Sequence, residues 1–501
     1  MTKNIVIITL SFIILLGLLL RIFYLHNQLH FWTDSARDLL ITEKIWNSIL
    51  NLDFSSLPIR GSDADTFLEK QVYGGAFYYY LIVIPGLITQ FHPFGMAAFT
   101  LILNIVAIYL MFIYSKKLLG DVAGIISSML LSTSSVVVAF STFLWNPNLY
   151  VFFHLLTLVL FLKILDGDKR YWLAFTLTAS VTTQVHIVGY IFIIFTFLPV
   201  IILKRIYPPG RILFFSLLLF LLPQFPIILS EFTSKFSNIQ ATIFYLQHLS
   251  FEFNGKSNSL FAITYIAENF LKISTNYLFG VNPYLLISFC LFSIFLAFFR
   301  ETSPKRHHRL VLSAKKFLIL GWLLSSFLIL LLSSPHFNRD AKQMLLPIFP
   351  TVIFIFTVIL NRALSRSWSI PIAMILLFII LYFNILNLLQ NKSIWQTPTL
   401  QDHEQLALFL QEKSNKQEYN LKIPEIILQE SIYWVLDNQK VHLPQTVNNK
   451  AEWITPLSKF QKKLNGKPAK ITYVAVYIYT PEVNCFIERK FGQIKLYACK
   501  K

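Results

Sequence analysis

The residues best suited to chemistry lie in one short stretch, Phe31-Trp-Thr-Asp-Ser-Ala-Arg-Asp, directly after the first apolar run. In a helix, Asp34 and Asp38 share one face, and Arg37 lies one turn from Asp34. Carboxylates at such a position take a proton from an acceptor hydroxyl, and a guanidinium binds a phosphate. A solvated amphipathic helix with an internal ion pair has the same pattern. The spacing alone leaves both interpretations open.

A second polar group follows in the same loop, where Glu69, Lys70 and Tyr73 precede Gly74-Gly75 and an aromatic run. Paired glycines allow the backbone to approach a ligand closely, and tyrosines are enriched at membrane interfaces. The pattern predicts an interfacial helix after the glycines, which either contributes to a site or serves only as an anchor.

Two later places carry polar side chains at the ends of apolar runs. They are His186 and a cluster of His336, Arg339 and Lys342. Such side chains bind phosphates or sugar hydroxyls. An interhelical hydrogen bond or a cation that extends to the interface is the ordinary alternative, and the sequence leaves both open.

The chain that must position these residues is strongly apolar. Of its 501 residues, 55% are hydrophobic and 14% are charged, against about 25% charged residues in soluble domains. The apolar runs predict a polytopic, mainly α-helical membrane protein with about eleven spans. The predicted spans are residues 5–20, 96–115, 121–140, 148–165, 171–185, 187–203, 211–229, 281–299, 317–334, 344–361 and 369–389.

The net charge of +18 would favour nucleic-acid binding in a soluble protein. Here the basic residues cluster in short loops that an odd number of spans places on one side, so they indicate membrane orientation instead. The N-terminus is then cytoplasmic, and no nucleic-acid partner is expected. The run from Phe77 to Phe91 is apolar enough to span, but counting it would invert this charge bias, so we predict that it does not cross.

The composition divides the chain into two domains. Residues 1–390 form the membrane domain and include an outer loop, 26–95. Residues 391–501 have ordinary polarity, a helical pattern near Glu404 to Lys413 and alternating strand patterns, so they predict a small extracytoplasmic α/β domain. Cys485 and Cys499 lie in this domain, and an exported tail would allow them to pair.

The order of these motifs resembles that of the GT-C glycosyltransferases of the protein mannosyltransferase and aminoarabinose transferase type, family 39. The resemblance covers roughly residues 1–390 and is densest between Arg21 and Tyr150. It implies a GT-C-like helical bundle that acts on the outer face of the membrane. It also implies transfer of a hexose or pentose from a polyprenyl-phosphate donor to an envelope acceptor, which is a protein, lipid or glycan. Few glycines with many phenylalanines, lysines and isoleucines are typical of an AT-rich prokaryotic genome, so we expect the plasma (inner) membrane as the location.

Residue by residue, the resemblance implies that Asp34 is the carboxylate that activates the acceptor and that Arg37 and Lys70 contact the donor phosphate. We also expect Asp38, on the same helix face as Asp34, to take part in catalysis, and Arg339 and Lys342 to contact the phosphate. The expected substrate contacts are Glu69, Tyr73, Asn146, His186 and His336. The sequence departs from the family pattern at Ser35, where a glutamate is usual, and at Asn146, where an aspartate is frequent.

Other functions fit the same sequence. A transporter or lipid flippase would also be polytopic with basic cytoplasmic loops, although such folds favour broken helices, internal repeats and charges at mid-membrane depth. A non-catalytic scaffold of the cell envelope is a third interpretation. No cofactor is implied. Asp34 and Asp38 are suitable ligands for a divalent metal, but two carboxylates do not define a metal site.

Overall fold

The computed structural model describes residues 2–67, 70–252, 309–333, 346–365, 370–389, 398–414, 420–422, 447–448, 471–476 and 485–500. Within these ranges the chain is mainly helical, with a two-stranded hairpin near the N-terminus and a five-stranded sheet in the C-terminal part. The predicted site residues Glu69, His336, Arg339 and Lys342 lie outside the described residues, as does the predicted span 281–299.

The N-terminal half consists of helices and the hairpin. In chain order the elements are α1 Lys3–Asn27, α2 Thr33–Leu50, β1 Asp63–Phe67, β2 Lys70–Tyr73, α3 Phe77–Ile88, α4 Pro93–Leu119, α5 Asp121–Thr133, α6 Ser135–Phe140, α7 Tyr150–Leu165, α8 Tyr171–Val185, α9 Gly189–Leu203, α10 Gly210–Thr233 and α11 Ser237–Glu252. The later helices are α12 Arg309–Ser333, α13 Phe349–Leu364, α14 Ile370–Leu389 and α15 Leu400–Ser414. The pair α8 and α9 agrees with the two short helices predicted there.

Five of the described helices are long and apolar enough to cross a membrane. They are Lys3–His26, Pro93–Leu119, Asn146–Leu165, Gly210–Thr233 and Ile370–Leu389. Helix α3 has 12 residues, which at about 1.5 Å per residue is far short of the roughly 30 Å of hydrocarbon. This length agrees with the prediction that the segment after the double glycine does not cross.

The predicted span over residues 121–140 is divided into two helices, because the helix breaks at Ser134 between α5 and α6. Hydroxyl side chains on both sides of the break compete with helical backbone hydrogen bonds. The buried guanidinium of Arg21 donates to the carbonyl of Ser132 (3.0 Å), at the end of α5. The side-chain oxygen of Asn384 accepts from Ser135 N (3.2 Å), at the start of α6. These two side chains supply partners for the backbone groups that the break exposes.

The end of the bundle at which α1 leads into α2 is here called the first-loop face. At the opposite end, Asp166 follows α7 and forms ion pairs with Lys117 at the end of α4 and Lys315 near the start of α12. Three helix ends with basic residues therefore meet at one face, as the predicted loop arrangement requires.

A buried polar contact joins two helices inside the bundle. Trp322 on α12 donates its indole N–H to Nε2 of His154 on α7 (2.7 Å). The His154 ring stacks on Phe192 of α9, with ring centroids 3.9 Å apart. In an apolar surrounding an indole N–H needs a partner, so this contact fixes the relative rotation of the three helices.

The C-terminal part contains α15 and a sheet with the strand order β4-β3-β5-β7-β6. Its strands are β3 Asn420–Lys422, β4 Val447–Asn448, β5 Ile471–Val476, β6 Cys485–Phe491 and β7 Ile494–Lys500. Strand β3 runs parallel to β4 and β5, and β7 runs antiparallel to β5 and β6. The helix and the alternating strands predicted for this region are confirmed. The register places Cys485 opposite Cys499.

Candidate active site

The candidate site is built on the first turns of α2. The helix begins at Thr33, so Asp34 lies in its first turn, where the positive end of the helix dipole favours a carboxylate. The hydroxyl of Ser35 donates to the carbonyl of Leu144 (2.8 Å), which fastens α2 to the segment before α7. Ser35, where the family pattern has glutamate, therefore holds the helix in place.

Arg37 bridges the two carboxylates of α2. Its Nη1 is 2.6 Å from Asp34 Oδ1, and its Nη2 is 3.2 Å from Asp38 Oδ1. The predicted common face of these three residues is confirmed. The helix is not a solvated one, because the side chains of Arg37 and Asp38 are only 20% and 1% exposed. Asp34 is 35% exposed and is therefore the accessible carboxylate of this Asp34–Arg37–Asp38 triad.

Asp38 is covered by the aromatic run of α3. Tyr78 and Tyr79 are both buried, with Tyr78 next to the Asp38 carboxyl and Tyr79 next to Arg37. Burial raises the pKa of Asp38 to about 7, although the charge of Arg37 opposes this rise. Burial also raises the pKa of both phenols, which therefore stay protonated. The Tyr-Tyr-Tyr run is visible in the sequence, but there it predicts only an interfacial helix. Its contact with Asp38 and Arg37 could not be predicted from the run.

The triad does not fit a divalent metal, because the guanidinium of Arg37 lies between the two carboxylates and is already paired with both. In the part of the chain that the structure describes, no group of three or more His, Cys, Asp or Glu side chains converges on one point.

Aromatic rings form the wall of the site next to the start of α2. Trp32 packs edge-on against Trp145, with ring centroids 5.2 Å apart, and against Phe143 at 6.1 Å. Asn146 follows directly and donates its amide to the carbonyl of Val185 at the end of α8 (3.0 Å). This contact joins the segment before α7 to the end of α8.

His186 lies in the turn between α8 and α9 and is buried. Its Nδ1 accepts from Val188 N (3.3 Å), and its ring lies 5.9 Å from that of Tyr150. Burial lowers the pKa of His186 to about 4, so the imidazole is neutral at neutral pH. A neutral ring with its proton on Nε2 donates to a hydroxyl or phosphate oxygen without adding charge.

The double glycine brings the end of β2 against α8. A side chain at Gly75 would collide with Gln184, whose amide donates to Gln224 (2.7 Å) on α10. Tyr73 lies just before the glycines, and its backbone N–H donates to Asn238 (2.8 Å). Lys70 is the first residue of β2, and its side chain lies outside the described part. The sequence gave no signal for the hairpin or for Gln224.

Arg60 packs on the ring of Tyr73, a contact that the sequence did not predict. The guanidinium of Arg60 lies 5.1 Å from the ring centroid. Its Nε donates to the Ser230 hydroxyl (2.5 Å) at the end of α10. The first loop is thus fastened to α8, α10 and α11, and through α3 to the triad.

No protein-family model matches the chain, and no curated protein matches it. Among solved structures, the oligosaccharyltransferase of Archaeoglobus fulgidus tethered with an acceptor peptide is 14% identical, with a TM-score of 0.53 over 95% of this chain and 69% of that one. The oligosaccharyltransferase AglB of the same organism, in complex with an inhibitory peptide and a dolichol-phosphate, is 13% identical, with a TM-score of 0.50 over 94% of this chain and 69% of that one.

The chain has a GT-C-like fold. ArnT from Cupriavidus metallidurans bound to undecaprenyl phosphate is 12% identical, with a TM-score of 0.49 over 99% of this chain and 98% of that one. At such identities the likeness to the two Archaeoglobus fulgidus structures concerns the fold, and it confirms the predicted GT-C-like bundle.

Proposed function

We propose that the protein is an integral membrane glycosyltransferase that moves a sugar from a polyprenyl-phosphate donor to an envelope acceptor. The observation that carries the proposal is the Asp34–Arg37–Asp38 triad, in which an accessible carboxylate lies 2.6 Å from a guanidinium in the first turns of α2, shortly after the apolar helix α1. The GT-C-like fold supports it, because AglB has been solved with a dolichol-phosphate.

In the proposed reaction the oxygen of an acceptor hydroxyl attacks the anomeric carbon of the donor sugar. The bond from that carbon to the phosphate oxygen breaks, and the phosphate leaves with the electron pair. Asp34 takes the proton of the attacking hydroxyl, and Arg37 stabilises the charge that develops on the phosphate. No separate general acid is needed, because a phosphate neutralised by a guanidinium is a competent leaving group.

The other predicted residues have proposed roles around this step. Asp38 is too deeply buried to meet an acceptor, so we assign it the positioning of Arg37. Lys70, Arg339 and Lys342 are proposed as further phosphate contacts. The proposed substrate contacts are Glu69, Tyr73, Asn146, His186 and His336.

We further propose that the enzyme is of the family 39 type and lies in the plasma membrane, with the first-loop face and the C-terminal domain extracytoplasmic. The basic helix ends around Asp166 at the opposite face support this orientation. The Archaeoglobus fulgidus neighbours are oligosaccharyltransferases, which supports the glycosyltransferase proposal over the transporter or flippase alternative. The scaffold alternative is decided by the activity test.

The test uses purified protein in nanodiscs and a panel of radiolabelled polyprenyl-phosphate sugars, with water or crude envelope as acceptor. Asp34→Asn should lower the turnover by at least about 100-fold, because a positioned base contributes roughly 10²- to 10⁴-fold. Glu43→Gln makes the same change at an exposed position of α2 and should keep the wild-type rate within about twofold.

Two outcomes would contradict the proposal in different ways. Wild-type turnover in Asp34→Asn would remove the catalytic assignment of that residue. Folded wild-type protein that transfers no sugar from any polyprenyl-phosphate donor would remove the glycosyltransferase assignment itself.

A further inference from the structure

The C-terminal domain is joined to the start of α2 by backbone pairing. Residues 29–31, between α1 and α2, run antiparallel to residues 398–400, which lead into α15. Two hydrogen bonds join these bridging segments: Leu400 N donates to Leu29 O (2.8 Å), and Phe31 N donates to Pro398 O (3.3 Å). The pairing ends only three residues before Asp34.

Residues 398–400 are fixed to the start of α15 by two hydrogen bonds between Thr399 and Asp402. Thr399 N donates to Asp402 Oδ2 (3.0 Å), and Asp402 N donates to Thr399 Oγ1 (3.3 Å). This is the capping-box arrangement, in which two side chains satisfy each other's orphan amides at a helix start. Residues 398–400 therefore move together with α15.

Asp402 also links α15 to the sheet. Its Oδ2 accepts from Gln493 N (3.5 Å), in the turn between β6 and β7. Gly492 in the same turn has φ +49°, and a side chain there would collide with the Asp402 carboxylate. Phe409 packs on Phe491 with ring centroids 5.6 Å apart. The carboxylate of Asp402, on α15, thus accepts hydrogen bonds both from residue 399 and from the turn between β6 and β7.

On the other side of the bridge, aromatic contacts lead directly to the site. His403 on α15 is buried, its Nδ1 lies 2.7 Å from Thr399 O, and its ring lies edge-on to Phe31 at 6.0 Å. The His30 ring packs on Phe143 at 5.7 Å, within the aromatic wall. Residues 29–31 are therefore enclosed between α15 and that wall.

We propose that the C-terminal domain positions the catalytic helix: α15, fixed by Asp402, holds residues 29–31 and thereby sets where Asp34 and Arg37 lie. Asp402 and Thr399 are positioning residues that touch no substrate. The role in catalysis rests on the proposed glycosyltransferase function. A displacement of about 1 Å at a reacting group costs up to roughly 100-fold in rate, so a modest release of this bridge is measurable.

A matched pair of variants at Leu400 tests the bridge in the full-length protein in nanodiscs. Leu400 is the first residue of α15, a position where proline is tolerated, so Leu400→Pro removes the amide that donates to Leu29 and preserves the helix. Leu400→Ala shortens the same side chain and keeps the amide. Both variants are compared by hydrogen exchange of peptides covering residues 29–38 and by kcat.

We expect Leu400→Pro to exchange about tenfold faster than Leu400→Ala in residues 29–38 and to have a kcat about tenfold lower. Asp402→Ala should reproduce both effects with Leu400 intact, and Asp402→Asn, which keeps an acceptor oxygen, should restore most of the rate. Gln401→Ala at the exposed neighbouring position should match the wild type.

Equal exchange in the two Leu400 variants would overturn the proposal, because α2 would then not depend on the bridge. Faster exchange with an unchanged kcat would also overturn it, because the bridge would not position the catalytic residues. Exchange is measured without substrate. A wild-type protein that transfers no sugar therefore refutes the proposed function, whereas equal exchange in the two Leu400 variants refutes the bridge.

Discussion

The buried carboxyl of Asp38 makes the stability of the protein depend on pH in a direction that can be calculated. Burial raises its pKa from 3.8 to about 7. Between these two pH values the folded protein keeps a proton that the unfolded chain releases. The stabilisation of the folded protein by this proton is fully present below about pH 4 and is lost as the pH rises to about 7. Stability should therefore fall across this window, relative to a variant that lacks the carboxyl.

The size of the effect follows from the same two values. A pKa raised from 3.8 to about 7 corresponds to roughly 4 kcal/mol over the whole window, at about 1.4 kcal/mol per pH unit. Roughly 2 to 3 kcal/mol of this falls between pH 5 and pH 7, a range in which a detergent-solubilised protein is easily handled. Asp38→Asn keeps the shape of the side chain and abolishes its titration.

The assay is the unfolding free energy of wild type and Asp38→Asn at pH 5, 6, 7 and 8 in one detergent. The unfolding free energy of Asp38→Asn should rise relative to that of the wild type from pH 5 to pH 7. The difference between the two should level off by pH 8. Asp53→Asn is the control. Asp53 is exposed, and its pKa lies below the ordinary value because Ser55 donates to it, so this difference should stay flat over the same range.

A flat difference for Asp38→Asn, or one that changes in the opposite direction, would refute the reasoning. It would mean that the Asp38 carboxyl is hydrated or fully compensated by Arg37, and that α3 does not seal the inner side of the triad.

Two further predictions concern other parts of the chain. Gly75→Ala should destabilise the protein by about 1 to 3 kcal/mol, because the new methyl group would collide with Gln184. Gly74→Ala is the control, since its methyl group would meet only Ser62 O at 3.6 Å. The thermal midpoint of the control should match that of the wild type. Cys485 and Cys499 should form a disulfide, because opposed antiparallel residues lie about 4.5 or 5.5 Å apart, within the range of disulfides. Alkylation of both Cys485 and Cys499 in unreduced protein, seen by mass spectrometry of their peptides, would contradict this.

Local periodicity determined much of the fold directly. Apolar runs of membrane-spanning length mark long helices such as α1 and α4, because the hydrocarbon core leaves a backbone few other structures. The spacing of Asp34, Arg37 and Asp38 placed them on one face of a helix, since side chains three or four residues apart are always neighbours there. Alternation in the tail identified β5 and β7 for the corresponding reason in strands.

The tertiary structure alone decided what each of these residues does. Asp34 and Asp38 are equivalent in the sequence, and they differ because α3 covers only Asp38. The break at Ser134 depends on partners from α1 and α14, which lie far away along the chain. The bridge between residues 29–31 and 398–400 joins segments more than 360 positions apart. No local pattern encodes such contacts, because burial and pairing depend on which distant surfaces meet when the helices pack.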